Sequence, residues 1–113
     1  MGFVQSIKDW HRGTPKPKPR NPSWDKLASS VVKRSGRCAA CGSKSKLEVH
    51  HKKPFHLYPE LEMIETNLMV LCRVCHYLFG HFCDWKAWNP HVDLDVGVIS
   101  MAIRARIYVR SAA

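Results

Sequence analysis

Apolar and polar positions alternate with distinct periods along the 113-residue chain. Trp24, Leu27, Val31 and Val32 follow an approximate 3.6-residue period behind Ser23, a residue able to cap a helix, and Ser35-Gly36 offers a left-handed stop. A helix is predicted there, feeding Cys38. In Lys46–His51 (KLEVHH), Leu47 and Val49 alternate with Glu48 and His50, the pattern of a short strand ending at Pro54. After an irregular stretch from Phe55 to Thr66, Asn67–Leu71 reads as a second strand and Arg73–Phe79 as the start of a helix. Trp85–Pro90 reads as a loop. The spacing of Val96, Ile99, Ile103 and Ile107 then predicts a last helix with Arg104, Arg106 and Arg110 on its more exposed sides. The expected class is therefore α+β.

Period two has a consequence for His50-His51. Consecutive side chains of a strand point to opposite faces, so the two imidazoles diverge and take different tasks unless a bulge reorients one of them.

Charge changes this picture at one end. Gly13–Pro22 (GTPKPKPRNP) carries four prolines interleaved with basic residues, a composition of extended, solvated chain. We expect a basic, Pro-rich arm over residues 1–22 and one domain over 23–113. Residues 1–37 hold 9 Lys/Arg against 2 Asp/Glu, so most of the formal charge of +9 lies in the arm and first helix. Such a balance suits a polyanion, and a nucleic acid or an anionic membrane fits it equally well; a solubilising tail is the simpler alternative. No apolar run approaches the roughly 18 residues of a spanning helix, and MGFVQSIKDWH has no signal-peptide core. The expectation is a soluble, unsecreted, cytoplasmic chain with reduced cysteines.

Those cysteines form two Cys-x-x-Cys pairs, Cys38/Cys41 and Cys72/Cys75, with 30 residues between the pairs. Zinc takes four such ligands in a tetrahedron, and each turn presents two thiolates at one corner. The long interval leaves room for a functional insertion while zinc closes the loop, a contribution to folding on the order of 10 kcal/mol. Buried structural thiols or a redox pair are the alternatives. Cys83 has no partner at that spacing and reads as an ordinary thiol.

Together, CAACG, LEVHHKKPF, Asn67-Leu68, LCRVCH and FGH, spanning Cys38 to His81, resemble the HNH endonucleases, in the four-cysteine subgroup of ββα-metal nucleases that many bacteriophages encode. The resemblance implies a small zinc-bound ββα-metal domain between flanking helices that hydrolyses DNA to 5′-phosphate and 3′-hydroxyl ends. It implies structural zinc on Cys38, Cys41, Cys72 and Cys75, and a catalytic divalent ion (Mg²⁺, Mn²⁺, Ni²⁺ or Zn²⁺) on His50 and His76. It makes His51 the general base and Asn67 its orienting residue. Family context adds DNA as partner, with a phage terminase or another DNA-processing protein beside it. The chemistry agrees: a neutral imidazole with a pKa near 6.5 suits proton abstraction, and a dication suits charge on the phosphoryl group. A noncatalytic zinc-ribbon adaptor that binds nucleic acid uses the same cysteines and basic residues.

Two positions depart from the family pattern. Relatives place a further histidine four residues along the helix, whereas His81 stands five beyond His76, about 140° away around a regular helix. His81 becomes a ligand only if Gly80 ends or distorts that helix. Lys52 replaces a commonly apolar residue, and is expected to lower the pKa of His51 or to contact phosphate. Trp85 and Trp88 are expected to cover the helix and zinc knuckle.

Overall fold

The structure, a computed structural model, describes residues 19–112, the last by its backbone alone. Most of the expected arm lies outside the described residues. Helix α1 spans Trp24–Ser35 and stops where Gly36, at φ 70°, turns its N–H back to the Val32 carbonyl. Ser23 does not cap it by its side chain. Instead Asn21 organises the start: its carbonyl accepts from the Trp24 N–H at 2.9 Å and its Oδ1 from the Ser23 N–H at 2.8 Å.

Strands β1 (Leu47–His51) and β2 (Leu68–Cys72) pair antiparallel in a register running from Leu47 opposite Cys72 to His51 opposite Leu68. The expected second strand thus begins one residue later. Asn67 instead closes the second of two 3-10 turns, Pro59–Leu61 and Glu65–Asn67, that order the connection between the strands. Helix α2 begins as Arg73–Cys75 and continues as a π-helical turn over His76–Gly80. Helix α3 spans Val92–Ala112.

Two small cores sandwich the hairpin. Val31 of α1 meets Leu68 and Val70, with Trp24 and Leu27 packed against them. On the other side Leu71 meets Cys38, Cys72, Cys75, Val92 and Val96, so the cysteines are themselves part of the core. Period-two alternation explains the division over Leu68–Leu71, where successive residues serve opposite layers, while Cys72 at the strand end joins the layer of Leu71. Only the first half of α3 joins this packing through Val92, Val96 and Ile99. Beyond it the helix stands out from the body, and Ile107, expected on the buried stripe, is 59% exposed. Among the described residues no helix is long and apolar enough to cross a membrane. The order is a ββα unit with flanking helices, as the α+β expectation had it.

Candidate active site

Each cysteine pair sits on a turn that aims two sulfurs inward. The first is shaped by Gly42, at φ 79°, whose N–H donates to the Cys38 carbonyl, and is tied to β2 by the Ala39 N–H to the Val70 carbonyl. The second straddles the junction of β2 and α2. The four Sγ atoms lie within 4.8 Å of one another and form no disulfide. Cys41 and Cys72 are 3.7 Å apart, close to the roughly 3.8 Å that Zn–S bonds of about 2.3 Å impose in a tetrahedron. Burial pushes the Cys75 and Cys41 thiols up; burial acts on Cys38 the same way, but backbone hydrogen bonds at Cys72, Cys41 and Ala40 bring it down to about 7. Four sulfurs this close, three of them buried, can all ionise only around a cation. The set fits zinc, as the spacing suggested.

A second cluster lies across the hairpin. His50, from β1, meets His76, which opens the π-helical turn, and His81, the residue just after it, with ring centroids 5.0, 5.1 and 4.9 Å apart and candidate ligand atoms within 4.8 Å. The π turn supplies the distortion that a five-residue interval needs: bonds running from i to i+5 return residue i+5 to the face of residue i. Gly80 matters for a different reason as well. A Cβ there would lie 2.9 Å from both Cε1 and Nδ1 of His50, so only glycine lets the ring settle against α2.

The proton positions in this cluster follow from its partners. His81 Nδ1 is 2.7 Å from the Ala87 carbonyl, which can only accept, so in the neutral ring Nε2 carries the lone pair. His76 Nδ1 faces Glu48 Oε1 at 3.0 Å and donates to that carboxylate. The two Nε2 atoms therefore point lone pairs at each other across 3.2 Å, near the roughly 3.3 Å separation of two nitrogens sharing one tetrahedral metal. His50 is 1% exposed, and among the described residues neither of its ring nitrogens has a hydrogen-bond partner. Burial pushes it down to about 3, with charge on the neighbouring histidines and Lys52 adding to the effect. Buried nitrogens left without donors, converging with two facing lone pairs, fit a divalent cation and little else.

His51 points the other way, as the alternation required. It stacks on Trp24 with centroids 4.5 Å apart and donates from Nε2 to the Glu62 carbonyl at 3.1 Å, which leaves Nδ1 basic. Burial holds its pKa below the ordinary value, against the Glu62 carbonyl bond, and the positive charge of Arg20 acts in the same direction as burial. Lys52 pairs with Asp93 at 3.0 Å and weighs on His50, while the lysine or arginine acting on His51 is Arg20 and not Lys52 as expected. The Asn67 side chain forms no hydrogen bond to His51. Its Oδ1 accepts from the Lys53 N–H at 2.9 Å and its Nδ2 donates to the Lys53 and Leu61 carbonyls at 3.1 and 3.4 Å, fixing the loop beside the Glu62 carbonyl.

The histidines line one cavity of about 280 Å³ with Arg20, Phe55, His56 and Trp85. Trp85 packs on His76 and His81 and so covers the histidine cluster rather than the cysteine knuckle; Trp88 packs on Tyr58. Sequence reasoning passed over Glu48, Arg20 and Trp24. Glu48 was visible as the polar member of the β1 alternation, two residues before His50, but nothing local says that it meets His76.

An antiparallel hairpin that hands histidines to a following helix, beside a four-cysteine knuckle, defines a ββα-metal unit. Residues 38–79 match the family model described as HNH endonuclease, and the chain carries an HNH endonuclease domain with a four-cysteine cluster. Domains of this family are typically metal-dependent nucleases, and DNA is the substrate they imply. No curated protein and no solved structure gives a match.

Proposed function

We propose that residues 23–113 form a DNA endonuclease domain in which His50, His76 and His81 hold one divalent ion, His51 is the general base, and the zinc clamp only maintains the fold. The observation that carries this reading is the convergence of three imidazoles on one point with their free nitrogens inward. The bound ion would supply Lewis acidity at the phosphoryl group and stabilise the departing 3′ oxygen. His51, neutral because it is buried, takes the proton of the attacking water at Nδ1 while the Glu62 carbonyl keeps the other proton on Nε2. Asn67 is a positioning residue that holds the loop carrying that carbonyl. Glu48 orients His76 and raises its basicity, the usual task of a carboxylate behind a metal-ligating histidine. The basic residues of 1–22 add affinity for the DNA backbone without selecting sequence. A role in phage DNA processing, with a terminase as partner, extends the same reading and predicts faster cleavage when that partner is added.

Supercoiled plasmid incubated with Mg²⁺, Mn²⁺, Ni²⁺ or Zn²⁺ tests the proposal. The wild type should nick or linearise it, and His51→Ala should be slower by about 10²–10⁴ with zinc content unchanged. Cutting by His51→Ala at the wild-type rate overturns the base assignment. Binding without cutting by the wild type under every metal favours the zinc-ribbon adaptor.

A further inference from the structure

Arg20 lies outside the segment that matches the HNH family, yet its side chain lines the histidine cavity. Its guanidinium carbon stands 4.6 Å from the Phe55 ring centroid and 5.3 Å from that of Trp24, the ring that also stacks on His51. Glu62 steadies the same segment twice: Oε1 accepts from the Asn21 N–H at 3.0 Å, and Oε2 lies 3.6 Å from Arg20 Nη1. These contacts fix the direction of the guanidinium through its π faces and a long ion pair. Beyond that long ion pair no hydrogen bond to the guanidinium forms among the described residues, and the side chain is 50% exposed, so N–H groups remain for a further acceptor. Among the described residues around the cavity it alone is an arginine, lysine, aspartate or glutamate.

We propose that Arg20 binds a phosphodiester of the DNA at this site, its guanidinium donating to a non-bridging oxygen of the group presented to the histidine cluster. The inference rests on the nuclease reading for what happens to that phosphate, but the contact itself is a statement about binding. The histidines, neutral when they act as ligands or base, bring no charge of their own to an anionic substrate. A planar guanidinium held on aromatic faces is suited to the task, because little side-chain freedom remains to be lost and its paired N–H groups match two oxygens at once. As hydrolysis proceeds, negative charge accumulates on the non-bridging oxygens, so a fixed donor there favours the transition state over bound substrate.

The test compares full-length wild type with Arg20→Gln, Arg20→Lys and, as a control, Arg34→Gln, whose side chain pairs with Glu65 in an exposed bridge. Plasmid nicking by Arg20→Gln should show kcat lower by about 10²–10³ with a much smaller change in KM. Arg20→Lys should recover part of that loss, and Arg34→Gln should behave as wild type. A second arm does not require cleavage: binding of a fluorescent duplex is titrated against salt in the His51→Ala background. One lost phosphate contact should lower the slope of log affinity against log salt by about 1. Equal nicking by wild type and Arg20→Gln overturns the proposal, as does slow nicking with the salt slope unchanged, which would make Arg20 a structural pin. If the wild type cuts nothing, the nuclease reading fails, and the salt slope still decides on Arg20.

Discussion

A methyl group at residue 80 would meet the His50 ring 2.9 Å away, closer than atoms tolerate, and the His76 ring at 3.2 Å. No left-handed backbone is required at Gly80, so alanine there should stabilise the helix by roughly 0.8–1 kcal/mol on propensity alone. The steric term acts on the metal site instead. Gly80→Ala should lower affinity for the catalytic ion by on the order of 10²-fold, the scale on which ligand positioning acts. Calorimetric titration with Mn²⁺ measures this, and retained zinc shows that the clamp is intact. Unchanged Mn²⁺ affinity would mean that His50 is not held where the ring now lies. Residue identities announced the histidines and cysteines, because few other side chains bind metals. They announced Gly80 only as a residue that could distort the helix and passed over Glu48; that residue 80 must leave space for the His50 ring, and that Glu48 meets His76, depends on which ring arrives from another element.

At the scale of elements, alternation in KLEVHH placed the first strand and the apolar run after Asn67 placed the second to within one residue, with Cys72 closing it. Asn67 shows where such patterns run out. Read as the first residue of a strand, it is the hub of the connection between the strands, and its 8% exposure leaves water little access to replace its bonds. Asn67→Ala strands the Lys53 N–H and the Lys53 and Leu61 carbonyls, a loss of about 2 kcal/mol. Urea unfolding measures it. The same variant should nick more slowly even where fully folded, because the Glu62 carbonyl that fixes His51 hangs on the loop that Asn67 braces; full activity in the folded fraction would separate the two.

At the scale of the molecule, the cores are too slight to hold the chain without the clamp. The inner core draws Cys38, Cys72 and Cys75 into its packing, so removing zinc both opens the loop and leaves thiols facing one another. A zinc contribution of about 10–16 kcal/mol equals or exceeds the net stability of a typical domain, roughly 5–15 kcal/mol. Stripping zinc with a strong chelator should therefore abolish cooperative thermal unfolding by circular dichroism. Zinc should restore it, and Mg²⁺ or Mn²⁺ should not. Recovery with Mg²⁺ alone would mean that the four-cysteine cluster is not what holds the fold. Composition hinted at this dependence, but which residues share the core with the cysteines emerges only when α3 folds back onto β2.

The π-helical turn at His76–Gly80 bears on how relatives of this chain are recognised. Elsewhere in a helix, one inserted residue rotates everything beyond it by about 100° and scatters a ligand pair. Here the surplus residue is absorbed within a single wider coil, and His81 comes back level with His76. A fixed four-residue interval would miss this pair while its imidazoles still meet; what a shared metal needs is a closed triangle, whatever the count of residues along one side.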